Sequence, residues 1–307
     1  MEKKAMFFID DVIWVFRDIT RQKPKSIFDI PYLAMLKKAY DDFGVKSQLN
    51  VFYRTCFWYG DDEFSLADMT DEYKAEFEAA SDWLTFGFHS KEEWPDYPYV
   101  NADYELVDNN FKLIYNEVCR FAGEKSFSKC VIPHWIPMSK EGIKALRDNG
   151  VKCTYATHGD KGEWDGSQDS LPYGHSFRLM HNRKPETGLY IKNTYDKAIA
   201  RALCSYNHIP DEEFEKIKGT KNFYEDKETG IKYIPSAEVV LNLVDLDKLP
   251  GALGKYTDRE VLVIGDHEQY FHSDYYAYQP DHAERVYLMG KMLKEAGYTF
   301  VLANDLY

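Results

Sequence analysis

Residues 5–11 read AMFFIDD, an apolar run that ends in two aspartates. An uninterrupted apolar run of this length is typical of a buried strand in a parallel sheet. Two adjacent carboxylates at the end of such a strand repel each other unless a positive group lies beside them. Asp10 and Asp11 are therefore either a metal ligand with a general base, or a solvated strand end that forms an Asx turn.

Beyond this stretch, short apolar runs alternate with longer segments of helical periodicity. Strands joined by helical crossovers form parallel sheets, so the sequence predicts an α/β protein. The interval 158–233 breaks the alternation, and we interpret it as an irregular excursion within one domain that spans 1–307. The predicted strands are 5–9, 47–53, 84–88, 129–132, 151–156, 261–264 and 298–302; the predicted helices are 31–43 with Gly44 as its stop, Thr70 (as N-cap) to Trp83, 104–122, Ser139 (as N-cap) to 149, and 281–296.

Three histidines follow predicted strands: His89, His134 and His267. Glu93 comes four residues after His89, and positions i and i+4 share one face of a helical turn, so this pair could converge on one ion. Asp96, three residues further on, is another candidate. The alternative for each histidine is an ordinary packed or solvated residue at a strand end.

His267, Glu268 and His272 resemble the zinc motif HExxH, but one residue too many separates the histidines. On a helix, positions i and i+5 diverge by roughly 140°, so we reject this motif. His267 is better interpreted as an acid or base at a strand end, with Asp266 as a candidate to orient its ring.

These candidates share one placement in the predicted fold. Asp10, Asp11, His89, His134 and His267 all fall at the carboxyl ends of predicted parallel strands. In a closed βα barrel these ends surround a single mouth. Two carboxylates and three imidazoles around one mouth suit a divalent metal and proton transfer.

The charge balance argues against two classes of partner. The chain of 307 residues has 38 basic and 51 acidic residues, a net charge of −13, which repels phosphate backbones and anionic lipid. We therefore expect no nucleic-acid or membrane partner.

The start lacks a signal peptide and no apolar run approaches about 18 residues, so we expect a cytoplasmic protein. Five cysteines without CxxC spacing predict neither a disulfide framework nor a thiolate zinc site.

Aromatic residues make up 16% of the chain and cluster at 57–59, 94–99 and 270–278. Aromatic faces stack on sugar rings, although they also fill cores, so these clusters indicate carbohydrate binding only weakly.

The order of the motifs resembles that of the polysaccharide deacetylase superfamily. The matching segments are Phe8 to Asp11, the run from His89 to Glu93, Pro133-His134-Trp135, His267, and a closing helix and strand over 292–301. The resemblance covers both ends and the middle of the chain but not 158–233.

This resemblance implies a distorted seven-stranded (β/α) barrel and metal-assisted hydrolysis of an amide. Asp11, His89 and Glu93 would be the metal ligands, Asp10 the base that takes a proton from the attacking water, and His267 the acid that protonates the departing amine. The metal would be divalent, with zinc expected from the resemblance and manganese, iron or magnesium as alternatives. The residues expected to contact the substrate are His134, Trp135, Trp94 and Trp164.

The sequence departs from the family pattern at two places. Glu93 stands where the family has a second histidine. A carboxylate is a harder ligand than an imidazole, so this change could shift the metal preference. Asp96 or His134 could serve as the third ligand instead. The arginine that orients the base in the family is absent, and residues 130–132 read CVI.

Three functions therefore compete. The first is a hydrolase that removes an N-acyl (acetyl) group from a small glycan or N-acylated sugar, and the second is a barrel that binds carbohydrate without turnover. The third is a glycosidase that uses Asp10 and Glu93 as paired acids.

Overall fold

The computed structural model describes residues 2–55, 63–94, 98–99, 102–136, 138–156, 212, 224–235 and 237–306. The strands are β1 (Lys3–Val12), β2 (Ser47–Phe52), β3 (Leu84–Ser90), β4 (Cys130–Val131), β5 (Cys153–Ala156), β6 (Tyr224–Glu225), β7 (Lys232–Pro235), β8 (Val239–Val240), β9 (Val261–His267) and β10 (Tyr298–Phe300). The helices are α1 (Trp14–Gln22), α2 (Pro31–Phe43), α3 (Lys74–Ala80), α4 (Tyr104–Ala122), α5 (Lys140–Asp148), α6 (Leu249–Gly254) and α7 (His282–Glu295).

A six-stranded sheet carries the amino-terminal motif. Its order is β3-β2-β1-β9-β8, and β10 also pairs with β1. β1 pairs parallel with β2, β9 and β10. The pairs β2–β3 and β8–β9 are parallel as well. A second sheet has the order β4-β5-β7-β6, in which β7 pairs parallel with β5 and antiparallel with β6. The α/β prediction is confirmed; a closed seven-stranded barrel stays a prediction.

β1 lies in the centre of its sheet, between β2 and β9. Residues 5–9 are all at most 6% exposed, as expected for a strand covered on both faces. The parallel register places Asp10 opposite His267 at the end of β9. Residues that lie more than 250 positions apart in sequence are thereby brought to the same edge of the sheet.

Two predicted helices have the expected bounds, Pro31–Phe43 and Tyr104–Ala122. Gly44 ends the first with a φ of 75°, a left-handed conformation that glycine adopts at little cost. The Ser139 hydroxyl accepts a hydrogen bond from the Gly142 amide, so the predicted cap of α5 is confirmed.

The predicted helix from Thr70 is wrong at its start. The helix begins at Lys74 and has no side-chain cap, while the Thr70 hydroxyl accepts a hydrogen bond from the Glu72 amide in the preceding turn. A threonine that bonds the amide two residues later forms a local turn, which competes with helix initiation.

α1 was not predicted because its amino-terminal partner is distant in sequence. Its N-cap residue, Ile13, has no side chain that can cap. Instead, the Glu268 carboxylate accepts hydrogen bonds from the amides of residues 13, 14 and 15, at 2.7, 2.9 and 2.7 Å. The four exposed amides of a helix start need such partners, and here a residue about 250 positions away supplies them.

The chain divides into two compact units. The first unit comprises residues 1–92, 112–130 and 237–307, and the second comprises 93–111 and 131–236. Most of the predicted excursion 158–233 lies outside the described residues; its described end contributes β6 and part of β7 to the second sheet. The described helices include none with the length and hydropathy needed to cross a bilayer.

Candidate active site

An irregularity in β1 positions the two aspartates. The register between β1 and β2 shifts between Ile9 and Val12, and Asp11 has a φ of 61°. In a regular strand, neighbouring side chains point to opposite faces, whereas an extra residue in a bulge turns one of them. Here both carboxylates reach His89: Oδ1 of Asp11 is 3.1 Å from Nε2, and Oδ1 of Asp10 is 3.9 Å from Nδ1.

His89 lies within β3, is 2% exposed and packs its ring against Phe52, with ring centroids 5.1 Å apart. Because the strand extends to Ser90, His89 is not on a helical turn. The helical i and i+4 argument for pairing it with Glu93 is therefore wrong. The prediction that His89 meets the aspartates is supported by the distances above.

The geometry of Asp11 and His89 fits two ligands of one cation. Metal–oxygen and metal–nitrogen bonds of about 2.0–2.2 Å place neighbouring ligand atoms roughly 3.0–3.5 Å apart. The 3.1 Å between the Asp11 carboxylate and the His89 ring falls in this range. The other carboxylate oxygen of Asp11 accepts a hydrogen bond from Nε2 of Gln269 at 2.7 Å, which orients the group as outer hydrogen bonds do in metal sites.

Asp10 is held by a chain of buried amides. Nδ2 of Asn50 donates to Oδ1 of Asp10 at 2.7 Å, Nε2 of Gln48 donates to Oδ1 of Asn50 at 2.8 Å, and the Ser128 hydroxyl donates to Oε1 of Gln48 at 2.8 Å. Asn50 therefore contacts Asp10, the residue for which the sequence resemblance implies an orienting arginine.

Burial raises the pKa of Asp10 to about 7, with the negative charge of Asp11 adding to the effect and the nearby His89 opposing it. A carboxylate with a pKa near neutrality is a stronger base than an ordinary aspartate and still loses its proton at physiological pH. A cation bound beside it would lower this pKa.

His267 ends β9, and its ring is oriented by an asparagine. Nδ1 of His267 is 2.9 Å from Oδ1 of Asn242, which can only accept a hydrogen bond, so Nδ1 carries the proton. Nε2 is then the nitrogen that can take up and deliver a further proton. Asp266 points elsewhere, because its Oδ2 lies 2.9 Å from Nε2 of His282.

His272 does not join His267, in agreement with the rejection of the HExxH motif. Its Nδ1 lies 3.5 Å from Asp18 and its Nε2 lies 3.5 Å from Glu268.

In the second unit, Glu93 and His134 are both buried. Nε2 of His134 is 3.0 Å from the backbone carbonyl oxygen of Glu93, which can only accept. The ring is therefore protonated at Nε2. Trp135 and Ile136 have φ values of 61° and 74°, an unusual pair for residues other than glycine.

Within the first unit, Asp11 and His89 form a buried pair of one carboxylate and one imidazole, two kinds of group that hold divalent metals in proteins. The third metal ligand stays a prediction, with Glu93, Asp96 and His134 as the candidates. Asp96 and Trp164 lie outside the described residues, so their predicted roles stay predictions, as do the substrate contacts of Trp94 and Trp135.

Sequence reasoning missed the amides that orient the site: Gln48, Asn50, Asn242 and Gln269. One signal for the first two was present, because residues 47–52 read SQLNVF and positions two apart share a face of a strand. Two large polar side chains on the same face of a buried strand need partners there. The other two have no comparable local signal.

Of three comparisons with known proteins, the comparison with solved structures found matches. No family model and no curated protein matches the chain. Two of the matched structures belong to carbohydrate esterase family 4. One is an acetyl xylan esterase from Clostridium thermocellum in complex with a cobalt ion, with 13% identity, coverage of 99% of this chain and 90% of that chain, and a TM-score of 0.42. The other is a pseudoenzyme from Bacillus anthracis, with 10% identity, coverage of 99% of this chain and 65% of that chain, and a TM-score of 0.46.

A third match is the 4-alpha-glucanotransferase from Thermococcus litoralis, with 10% identity and a TM-score of 0.54. The match covers 99% of this chain but only 40% of that longer chain. At this identity the likeness shows a shared α/β fold.

Proposed function

We propose that the protein is a metal-dependent hydrolase that removes an N-acyl group, such as acetyl, from a carbohydrate. The observation that carries the proposal is the arrangement in the first unit. A buried carboxylate and a buried imidazole lie 3.1 Å apart at Asp11 and His89, with the second carboxylate, of Asp10, beside them. Amide hydrolysis is catalysed by a general acid and a general base that lie next to a bound metal ion.

We propose Asp11 and His89 as two of the metal ligands, and we keep Glu93, Asp96 and His134 as the candidates for the third. Imidazole and carboxylate ligands are typical of a catalytic zinc site, and zinc is the metal we expect. When bound, the cation would polarise the acyl carbonyl and lower the pKa of the attacking water.

The remaining steps use side chains of this chain. Asp10, held by Asn50, would take the proton from water as the oxygen attacks the acyl carbon. His267, held by Asn242 through Nδ1, would give a proton from Nε2 to the departing nitrogen. The C–N bond breaks, a C–O bond forms, and the products are a carboxylate such as acetate and a sugar amine.

The test combines metal analysis with product analysis. Protein purified without added metal is expected to contain about one zinc per chain and to release acetate from N-acetylglucosamine oligomers. Asp11→Ala and His89→Ala are expected to lose both the metal and at least about a hundredfold of the rate, since changes to outer-shell residues alone cost about 10–100-fold. Asp42→Ala, on the exposed face of α2, is the matched control and should retain both.

Full metal content in both Asp11→Ala and His89→Ala would show that the proposed site is wrong. Cleaved glycosidic bonds with intact acetyl groups would instead favour a glycosidase, the third of the functions that compete at the sequence level.

A carbohydrate-binding protein without turnover is the second candidate function. The observation in its favour is that neutral amides, Asn50 and Asn242, contact both proposed proton-transfer groups, Asp10 and His267. An amide positions a group but supplies no charge to it. This candidate predicts sugar affinity by calorimetry without product under any divalent metal, and released acetate would exclude it.

A further inference from the structure

A cavity of about 290 Å³ lies among the end of α1, the first turn of α2 and the segment 271–283 that leads into α7. All of its walls belong to the first unit, and none of the residues proposed for hydrolysis lines it. A volume near 300 Å³ is at the small end of the range for ligand pockets, so the cavity suits a single small ring.

Three residues that line the cavity carry buried polar atoms without a hydrogen-bond partner among the described residues. These are the hydroxyl of Tyr32, Oε1 of Gln279 and Nδ1 of His282. Tyr32 is 0% exposed and His282 is 1% exposed. The amide of Gln279 is fixed, because its Nε2 donates to the backbone oxygen of Asn242. Such groups are costly to leave unbonded, so the site is built for a polar occupant.

The charged groups that line the cavity, Asp18, Asp274 and His272, already have partners, one of which is Arg17 outside the lining. Arg17 lies 3.1 Å from Asp18 and 2.9 Å from Asp274, and His272 lies 3.5 Å from Asp18. Burial alone raises the pKa of Asp18, but the hydrogen bond and charge of His272, together with Arg17, outweigh this effect and lower the pKa. Since each of these charged groups has a partner of opposite charge, an uncharged ligand is favoured over an ion.

Aromatic rings complete the cavity. Phe271 lines it, and Tyr278 lies on its wall with 41% of its surface exposed. Aromatic faces pack against the C–H groups of a sugar ring, while buried hydroxyl, amide and imidazole groups take its hydroxyls. We propose that this cavity is a second site, separate from the candidate active site, that binds one neutral pyranose ring.

The site is tested with the full chain after removal of metal by a chelator. Xylose, glucose and N-acetylglucosamine are each titrated by saturation-transfer NMR up to about 50 mM, which is well above a dissociation constant of about 1 mM. We expect saturable binding of at least one sugar. Tyr32→Phe, which removes only a hydroxyl, and Tyr278→Ala should each weaken it about fivefold or more.

Matched controls exist for both variants. Tyr40→Phe changes another tyrosine of α2, and Tyr276→Ala changes a tyrosine of the same loop that is 39% exposed; neither lines the cavity. Both should bind within twofold of the unchanged protein, with folding of every variant checked by circular dichroism.

Asp11→Ala separates this proposal from the proposed function, because it disables the candidate metal site and should leave the sugar affinity within twofold. Absence of saturable binding for all three sugars would overturn the second site. Equal weakening in the controls, or loss of binding in Asp11→Ala, would overturn it as well.

Discussion

Asp11 has a left-handed backbone, with a φ of 61°, inside a parallel strand. For a residue other than glycine this conformation costs roughly 1–2 kcal/mol, and it persists only where the surroundings hold it. Gln269 and His89 both contact the Asp11 carboxylate and stabilise this backbone conformation. The strain turns Asp11 and Asp10 toward the same histidine, which a regular strand would not allow.

Gly87 packs closely against the amide chain, by which we mean the linked side-chain amides of Gln48 and Asn50 that hold Asp10. A Cβ added there would lie 2.6 Å from Oδ1 of Asn50 and 2.8 Å from Nε2 of Gln48. Gly87→Ala is therefore expected to displace the Asn50 amide from Asp10, lower the free energy of unfolding by about 1–3 kcal/mol and reduce acetate release by about tenfold or more. Urea unfolding and an acetate assay measure the two effects.

Gly251→Ala in α6 is the matched control, since nothing lies within 4 Å of its added Cβ. Its stability should change by less than about 1 kcal/mol. If Gly87→Ala proves as stable and active as Gly251→Ala, the amide chain has more room than the structure indicates.

At the scale of elements, α1 depends on a carboxylate from another part of the chain. Glu268 is 0% exposed and satisfies three amides at the start of the helix. A buried anion is stable there because the helix start supplies hydrogen-bond donors and the positive end of the helix dipole.

Glu268→Gln removes the charge and one acceptor oxygen, and we expect the free energy of unfolding to fall by about 2–4 kcal/mol. Denaturant unfolding followed by circular dichroism measures the loss. Glu284→Gln, an exposed residue in the first turn of α7, is the control and should change stability by less than about 1 kcal/mol. Similar losses in the two variants would mean that Glu268 does not cap α1.

At the scale of the whole molecule, a buried network makes stability depend on pH. Burial alone lowers the pKa of His272, but its hydrogen bonds and charge interactions with Asp18 and Glu268 outweigh this and raise the pKa from 6.5 to about 9. The folded protein therefore holds a proton that the unfolded chain releases near pH 6.5.

This stabilisation is complete below about pH 6.5 and is lost as the pH rises toward about 9, a loss on the order of 3 kcal/mol. The free energy of unfolding, measured from pH 6 to 10, should fall across this window. His272→Gln should lose most of the slope, because it carries no titrating group there. An unchanged slope in His272→Gln would contradict the assignment to this histidine.

The α/β class, the bounds of α2 and α4, and the presence of the strands that lead to Asp10, Asp11, His89 and His267 were predictable from the sequence. These features follow from hydrophobic periodicity and local cap and stop residues, which act over one or two turns of chain. The same local logic failed at Thr70, where a turn competed with the helix, and at His89, where a strand continued beyond its predicted end.

The tertiary structure alone decided which groups orient the candidate site. Asn50, Gln269 and Asn242 reach Asp10, Asp11 and His267 from other strands and loops, and Glu268 starts a helix from about 250 residues away. A hydrogen bond depends on atoms that meet within about 3 Å, and strand pairing, not sequence spacing, sets which distant residues do so. Pairing of β1 with β2 and β9 therefore made neighbours of residues whose sequence positions give no sign of it.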